Sequence, residues 1–357
     1  MNSFSRKGIA LSKKDALNSA AVIFFALSLC TALIFACHSS AQARFIIKFA
    51  TVAPEGSTWM KHMRELQKKL KVESKGQIGF RIYPGGVAGD ELDVLRKIRI
   101  RQIHCAAFTG VGLGQILPMA RVMDLPFLFR NYKEVDLVRR KLEPFFETHF
   151  KEKGFDLLAL AEVGDVHIFS KKPVRRVSDL SKLRVWIWSG DPIAKETFSS
   201  MGVSPVPLAI TDVNTALSTG MIDTVYVPPL GALTLQWYPY LKFMMSLPLA
   251  YSTGAVLISR SFSSRMTTDL FNLLKKDFHQ TMAELTEDLR AQNKETIHLL
   301  EEKGLKVLPM PAGPDLRDFY TVRDKVAKAL SGKVYPAELL ERVNSILSSA
   351  RREKPCL

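Results

Sequence analysis

The sequence predicts an α/β protein of two lobes, with a ligand cleft between them and a long helix along the back. Three observations predict it. Extended and helical runs alternate in β-α order from Arg44 to Phe108. They alternate again, as β-α-β-α-β, from Lys182 to Ala232. Such alternation requires crossover helices and a parallel sheet. The third observation is a helical period from Ser263 to Lys303, carried by Phe271, Leu274, Phe278, Met282, Leu285 and Leu289. That run exceeds an ordinary globular helix and holds no strict heptad, so it reads as one or two helices behind both lobes.

The first lobe begins with a strand at Arg44–Ala50. Ser57 opens a helix whose Trp59, Met63, Leu66 and Leu70 share one face. Ile78–Tyr83 is a strand, Asp90–Arg101 a helix and Ile103–Phe108 a third strand. Gly110–Gln115 reads GVGLGQ. Its third glycine is misplaced for a dinucleotide loop, and it follows the third strand, so it is expected to be a flexible connection. Met123–Phe129 is an apolar turn, Lys133–Lys153 an amphipathic helix, and Phe155–Ala161 and Val166–Phe169 two separate extended pieces.

The second lobe is organised by Lys182–Ala232. Leu183–Trp188 is extended around the fixed cation Arg184. A short helix runs from Asp191 to Met201, followed by a strand at Val203–Leu208. Thr211 is expected to cap the next helix, and Gly220 to end it before a strand at Ile222–Val227. Gly254–Ser259 and Lys306–Met310 are strands, and Asp315–Leu330 and Pro336–Arg352 closing helices. The expected division is a leader at 1–43, lobe I at 44–163 with about 250–290 returning to it, and lobe II at 164–249 with about 291–357 packing on it.

The leader has Arg6, Lys7, Lys13 and Lys14, an apolar run from Ala20 to Ala36, and a small-residue site at Ala41-Gln42-Ala43. That order is a secretory signal peptide with cleavage after Ala43, which places the chain in the periplasm. An uncleaved anchor and a lipoprotein linked through Cys37 are the alternatives. The formal charge of +15 remains strongly positive once the leader is removed. Export, dispersed basic residues and the lack of a recognition-helix or zinc pattern argue against nucleic acid. Cys105 and Cys356 would be the mature cysteines. Pairing between them is open, and they make no disulfide framework. His104, His149 and His167 stand apart, and there is no metal pair, nucleophile elbow or phosphate loop, so neither an enzyme nor a cofactor is expected.

Several segments resemble the solute-binding proteins of tripartite ATP-independent periplasmic (TRAP) transporters. FATVAPEGSTWMKHM at 49–63, YPGGVAGDELDVLRKIRIRQIHCA at 83–106 and MDLPFLF at 123–129 are similar to the first lobe of that family. KKPVRRVSDLSKLRVW and SPVPLAITDVNTALSTGMIDTV are similar to its second lobe. The resemblance implies a periplasmic binding protein fold that closes on a small-molecule organic acid and delivers it to TRAP membrane permease subunits. A subgroup with lipophilic ligands is associated with helical-repeat partner proteins.

The resemblance also implies that Arg184 clamps a carboxylate, for which a guanidinium's planar fork suits. Three departures stand beside it. Trp186 replaces the motif's proline, Val166 or His167 stands where a second arginine is usual, and Val227 replaces an asparagine. With Trp188 and Tyr226 these positions imply an apolar cleft for a hydrophobic monocarboxylate. A polar organic acid, either a dicarboxylate or a sugar acid, is the alternative, as is a ligand-sensing module for a membrane receptor.

Overall fold

A computed structural model describes residues 45–353. The expected leader, Cys37 and Cys356 therefore lie outside the described residues.

In lobe I, β1 (Phe45–Ala50) lies parallel between β2 (Ile78–Tyr83) and β3 (Cys105–Thr109). The crossover helices are α1 (Thr58–Glu73) and α2 (Glu91–Arg99). Ser57 caps α1 by accepting from the Met60 N–H, and Asp90 caps α2 in a reciprocal box with Asp93.

The GVGLGQ segment is a helix, not a flexible loop: α3 spans Gly110–Ile116. Its glycines serve close approach. A Cβ on Gly110 would sit 1.9 Å from Asp124 Oδ2, and one on Gly112 would sit 2.3 Å from the Phe108 ring. A 3-10 turn at Pro118–Asp124 then leads to α4 (Tyr132–Glu152), capped by Asn131.

The two extended pieces after α4 are one strand, β4 (Phe155–Ser170). It pairs with β9 (Ala250–Ser259) through Val166, then with β7 (Thr224–Val227) from His167 onward. Gly164, at φ 122°, sits at the register shift where β4 bends out of lobe I. A second strand of the same sheet thus crosses with it, and the two tie the lobes together.

Lobe II holds β5 (Trp186–Trp188), α5 (Pro192–Ser200), β6 (Val206–Leu208) and α6 (Val213–Thr219). β5 and β6 are parallel, and Val185 bridges Thr224 in parallel to reach β7. Thr211 does not cap α6. It lies in a 3-10 turn, Ile210–Asp212, that runs into the helix. Gly220 ends α6 in the left-handed conformation at φ 74°. α7 (Pro229–Thr234) and β8 (Phe243–Met245) complete the lobe, and β8 pairs with both β4 and β10 (Lys306–Leu308).

After β9, α8 (Arg260–Ser263) leads into α9 (Thr268–Glu302), a single helix of 35 residues. Leu274, Phe278, Met282 and Leu285 pack on the lobe I core, and Leu300 on that of lobe II. Between them Asn293 reaches the crossing, donating to the Val163 carbonyl at 3.3 Å and accepting from the Leu230 N–H at 2.9 Å. α10 (Gly313–Leu330) packs on α5 of lobe II, whereas α11 (Ala337–Glu353) packs on α4 of lobe I. The closing helices therefore straddle both lobes rather than covering the second alone.

Candidate functional site

A cavity of about 230 Å³ lies between the lobes. Lobe I contributes the loop after β1, with Val52 and Pro54, and the end of β3, with Phe108. Lobe II contributes Phe198, Trp237 and the strand ends described below. The crossing strand β4 supplies Val166, and Leu249 stands just before β9.

Five of the six site residues expected from the sequence come together here. Trp186, Trp188, Val166, Tyr226 and Val227 all line the cavity. Trp186 stacks on Tyr226 at 5.2 Å between centroids and meets Trp237 edge-on at 5.4 Å. Its Nε1 donates to the Leu208 carbonyl at 3.1 Å, so a ring buried for its apolar area leaves no orphan donor. Trp188 is tied across the cleft, its Nε1 donating to the Asp90 carboxylate at 2.8 Å.

Arg184, the sixth, is elsewhere. Its side chain is 59% exposed and pairs with Asp223 at 3.3 Å, and its backbone N–H donates to the same carboxylate at 2.8 Å. Alternation alone would set Arg184 on the same face as Trp186 and Trp188. It stands two residues before β5, where its backbone N–H and guanidinium both engage Asp223, and its side chain ends at the surface instead of in the cleft. His167 is buried but does not line the cavity. Its Nδ1 donates to the Met245 carbonyl at 2.9 Å and its Nε2 lies 3.1 Å from Asp165.

The cation at this site is one that sequence reasoning passed over. Arg121, in the 3-10 turn, is the only Lys or Arg lining the cavity among the described residues. Its side chain is 5% exposed. Nε donates to Asp124 at 2.8 Å and Nη2 pairs with Asp191 at 2.9 Å, while Nη1 is buried with no protein partner. Burial opposes the charge, but Asp191 and Asp124 outweigh it and push Arg121 above its ordinary value. Asp191 also caps α5, accepting from Ile193 and Ala194, and Asp124 accepts from Thr253 at 2.9 Å. Arg121 is thus held by one acid from each lobe. The missed signal was an Arg and an Asp three residues apart inside an apolar, proline-started turn, beside the small residues Gly110, Gly112 and Gly114.

Three further acids lie at or beside the wall. Glu162 pairs with Arg290, which also forks onto Asp136 at 2.6 and 2.9 Å and covers the Tyr132 ring at 4.3 Å. Asp90 is raised by burial, and the Trp188 hydrogen bond only partly offsets this. Glu91 is raised by burial to about 7, although Thr109 and Gly112 donate to it.

The geometry can enclose a small solute with an apolar body and one polar end. Among the described residues no group of His, Cys, Asp and Glu is placed to hold a metal ion, and no helix is long and apolar enough to cross a membrane.

Two lobes joined by crossing strands, with a polar-pointed cavity at their junction, define a solute-binding protein. The sequence matches the family described as bacterial extracellular solute-binding protein, family 7, over residues 49–332, and the chain belongs to that family, the binding component of TRAP transporters. It is 21% identical over 304 residues to the sialic acid-binding periplasmic protein SiaP of Vibrio cholerae, covering 83% of this chain and 91% of that one. It is 21% identical over 277 residues to the C4-dicarboxylate-binding periplasmic protein DctP of Rhodobacter capsulatus, covering 77% and 83%. The sugar acid binding protein DctPAm of Advenella mimigardefordensis, solved with galactonate, superposes with a TM-score of 0.80 at 19% identity, covering 85% of this chain and 98% of that one.

Proposed function

We propose that this protein captures a hydrophobic monocarboxylate in the periplasm, after export by its leader, and hands it to TRAP permease subunits. One observation carries the reading. The cavity is walled by Trp186, Trp188, Tyr226, Trp237, Phe198 and Leu249, and its one lining cation has a single unpartnered nitrogen, Nη1. Apolar walls with few placed polar groups suit a ligand that is mostly hydrocarbon. The unpartnered Nη1 supplies a charge-assisted hydrogen bond for one carboxylate. Relatives that bind sialic acid, C4-dicarboxylates and galactonate support an acid as the solute class.

Arg121 rather than Arg184 is the anchor in this reading. A dicarboxylate would bring a second negative charge into a cavity with one lining cation and four lining carboxylates, and a sugar acid would set most of its hydroxyls against walls that are mainly aromatic and aliphatic, which is unfavourable for buried polar groups. Calorimetric titration of the mature protein with octanoate, succinate and galactonate tests the assignment. The expected result is binding of octanoate and at least about 100-fold weaker binding of the other two, roughly 2.7 kcal/mol. Tight binding of succinate or galactonate without octanoate binding would overturn it.

A further inference from the structure

Four carboxylates line the cavity: Glu91, Asp124, Glu162 and Asp191. Arg121 pairs with Asp124 and Asp191, and Arg290 with Glu162. Glu91 is the one left without a cation among the described residues. It is 2% exposed and is held by neutral donors only: the Thr109 N–H at 2.7 Å, the Thr109 hydroxyl at 3.1 Å and the Gly112 N–H at 2.7 Å.

The charged neighbours offer it no compensation. On its own helix Asp90 is bonded to Trp188, and Asp93 is paired with Arg96. Asp90 itself adds like charge beside Glu91. β3 brings only Cys105, whose thiol burial keeps protonated, and α3 has no ionisable side chain. The 3-10 turn and the start of α5 bring Arg121, Asp124 and Asp191, already paired with one another.

We propose that Glu91 is a specificity-determining residue that sets the charge the cavity accepts: it takes up one proton from solvent as an anionic solute enters, and none when a neutral solute of the same shape does. This rests on the reading of the cavity as an acid site. A solute carboxylate arrives with no new cation, and a like charge in a low-dielectric site favours the neutral acid. The proton goes to the Glu91 carboxylate, and the solute stays ionised against Arg121. Protonated Glu91 keeps acceptor oxygens for the Thr109 and Gly112 donors. Burial already brings Glu91 to about 7, so the two forms are close in energy near neutral pH. The other three lining acids each already face an arginine partner.

The test is calorimetry with octanoate and octanamide in two buffers of different ionisation enthalpy, phosphate and Tris, near about pH 7.5. Wild-type protein is expected to take up close to one proton with octanoate and none with octanamide, and its octanoate affinity to fall by up to roughly tenfold per pH unit above about 7. Glu91→Gln is expected to bind octanoate with no proton uptake and a flat pH profile. Glu91→Asp, which keeps the carboxyl, is expected to retain the uptake. Octanoate binding without proton uptake in the wild type, or uptake persisting in Glu91→Gln, would overturn the inference alone. Failure of octanoate to bind at all would overturn the acid reading and this inference with it.

Discussion

Replacing Arg121 by Met probes the site and the fold together. The substitution keeps much of the side chain's apolar length and removes the charge. Two carboxylates lose their cation, with side chains only 9% and 4% exposed at Asp124 and Asp191. Breaking a buried pair from one side costs about 3–5 kcal/mol, because the remaining charge stays desolvated. Here both acids keep other donors, Thr253 for Asp124 and the Ile193 and Ala194 N–H groups for Asp191, which favours the lower end, about 3 kcal/mol. That is a large share of the roughly 5–15 kcal/mol that holds a domain. Urea unfolding followed by circular dichroism measures it, with an unchanged slope in denaturant as the control. The sign with pH is also fixed. Burial holds Asp124 above its ordinary value even beside Arg121, and removing the guanidinium raises it further. The penalty at Asp124 is therefore present at neutral pH and shrinks as pH falls through that raised value. A loss below about 1 kcal/mol, or one indifferent to pH, would refute the assignment of Arg121 as the buried keystone of the cleft.

Three other outcomes follow from the same geometry. Arg184→Ala should change stability by less than about 1 kcal/mol, because its pair with Asp223 is solvent-screened, and should leave octanoate affinity unchanged; a tenfold loss by titration would restore Arg184 as the anchor. Gly110→Ala should cost about 1–3 kcal/mol in urea unfolding, since its Cβ would meet Asp124 Oδ2 at 1.9 Å and that atom is fixed by Arg121; a neutral effect would show that the turn can yield. Glu91→Gln should flatten the stability profile. Burial raises Glu91 from the ordinary 4.5 to about 7, so the native wild-type protein binds the proton more tightly and loses stability as pH rises between those values, by about 3 kcal/mol in all; an unchanged slope in the variant would place the titration elsewhere.

Much of the architecture was legible because burial imposes a period. The α1 face of Met63, Leu66 and Leu70 and the β-α-β order of the second lobe follow from side-chain alternation and helical spacing. β4 reads as two strands because Gly164 and Asp165 interrupt its apolar run, yet in space they mark a bend in a continuous strand. The glycines of α3 suggest flexibility, whereas their absent Cβ atoms make room for the buried charges of Glu91, Arg121 and Asp124 on the flanking segments. The apolar half of the site was visible in Trp186, Trp188 and Tyr226. The charged half was not: Arg184 stands two residues before Trp186, where its pairing with Asp223 holds it at the surface, while Arg121 reaches those residues only through the meeting of the two lobes.

A crystal structure of the protein with octanoate bound tests the central claim most directly. The carboxylate is expected within about 3 Å of Arg121 Nη1, with the hydrocarbon chain lying against Trp186 and Tyr226. A carboxylate seated at Arg184, or octanoate found outside the cleft, would contradict it.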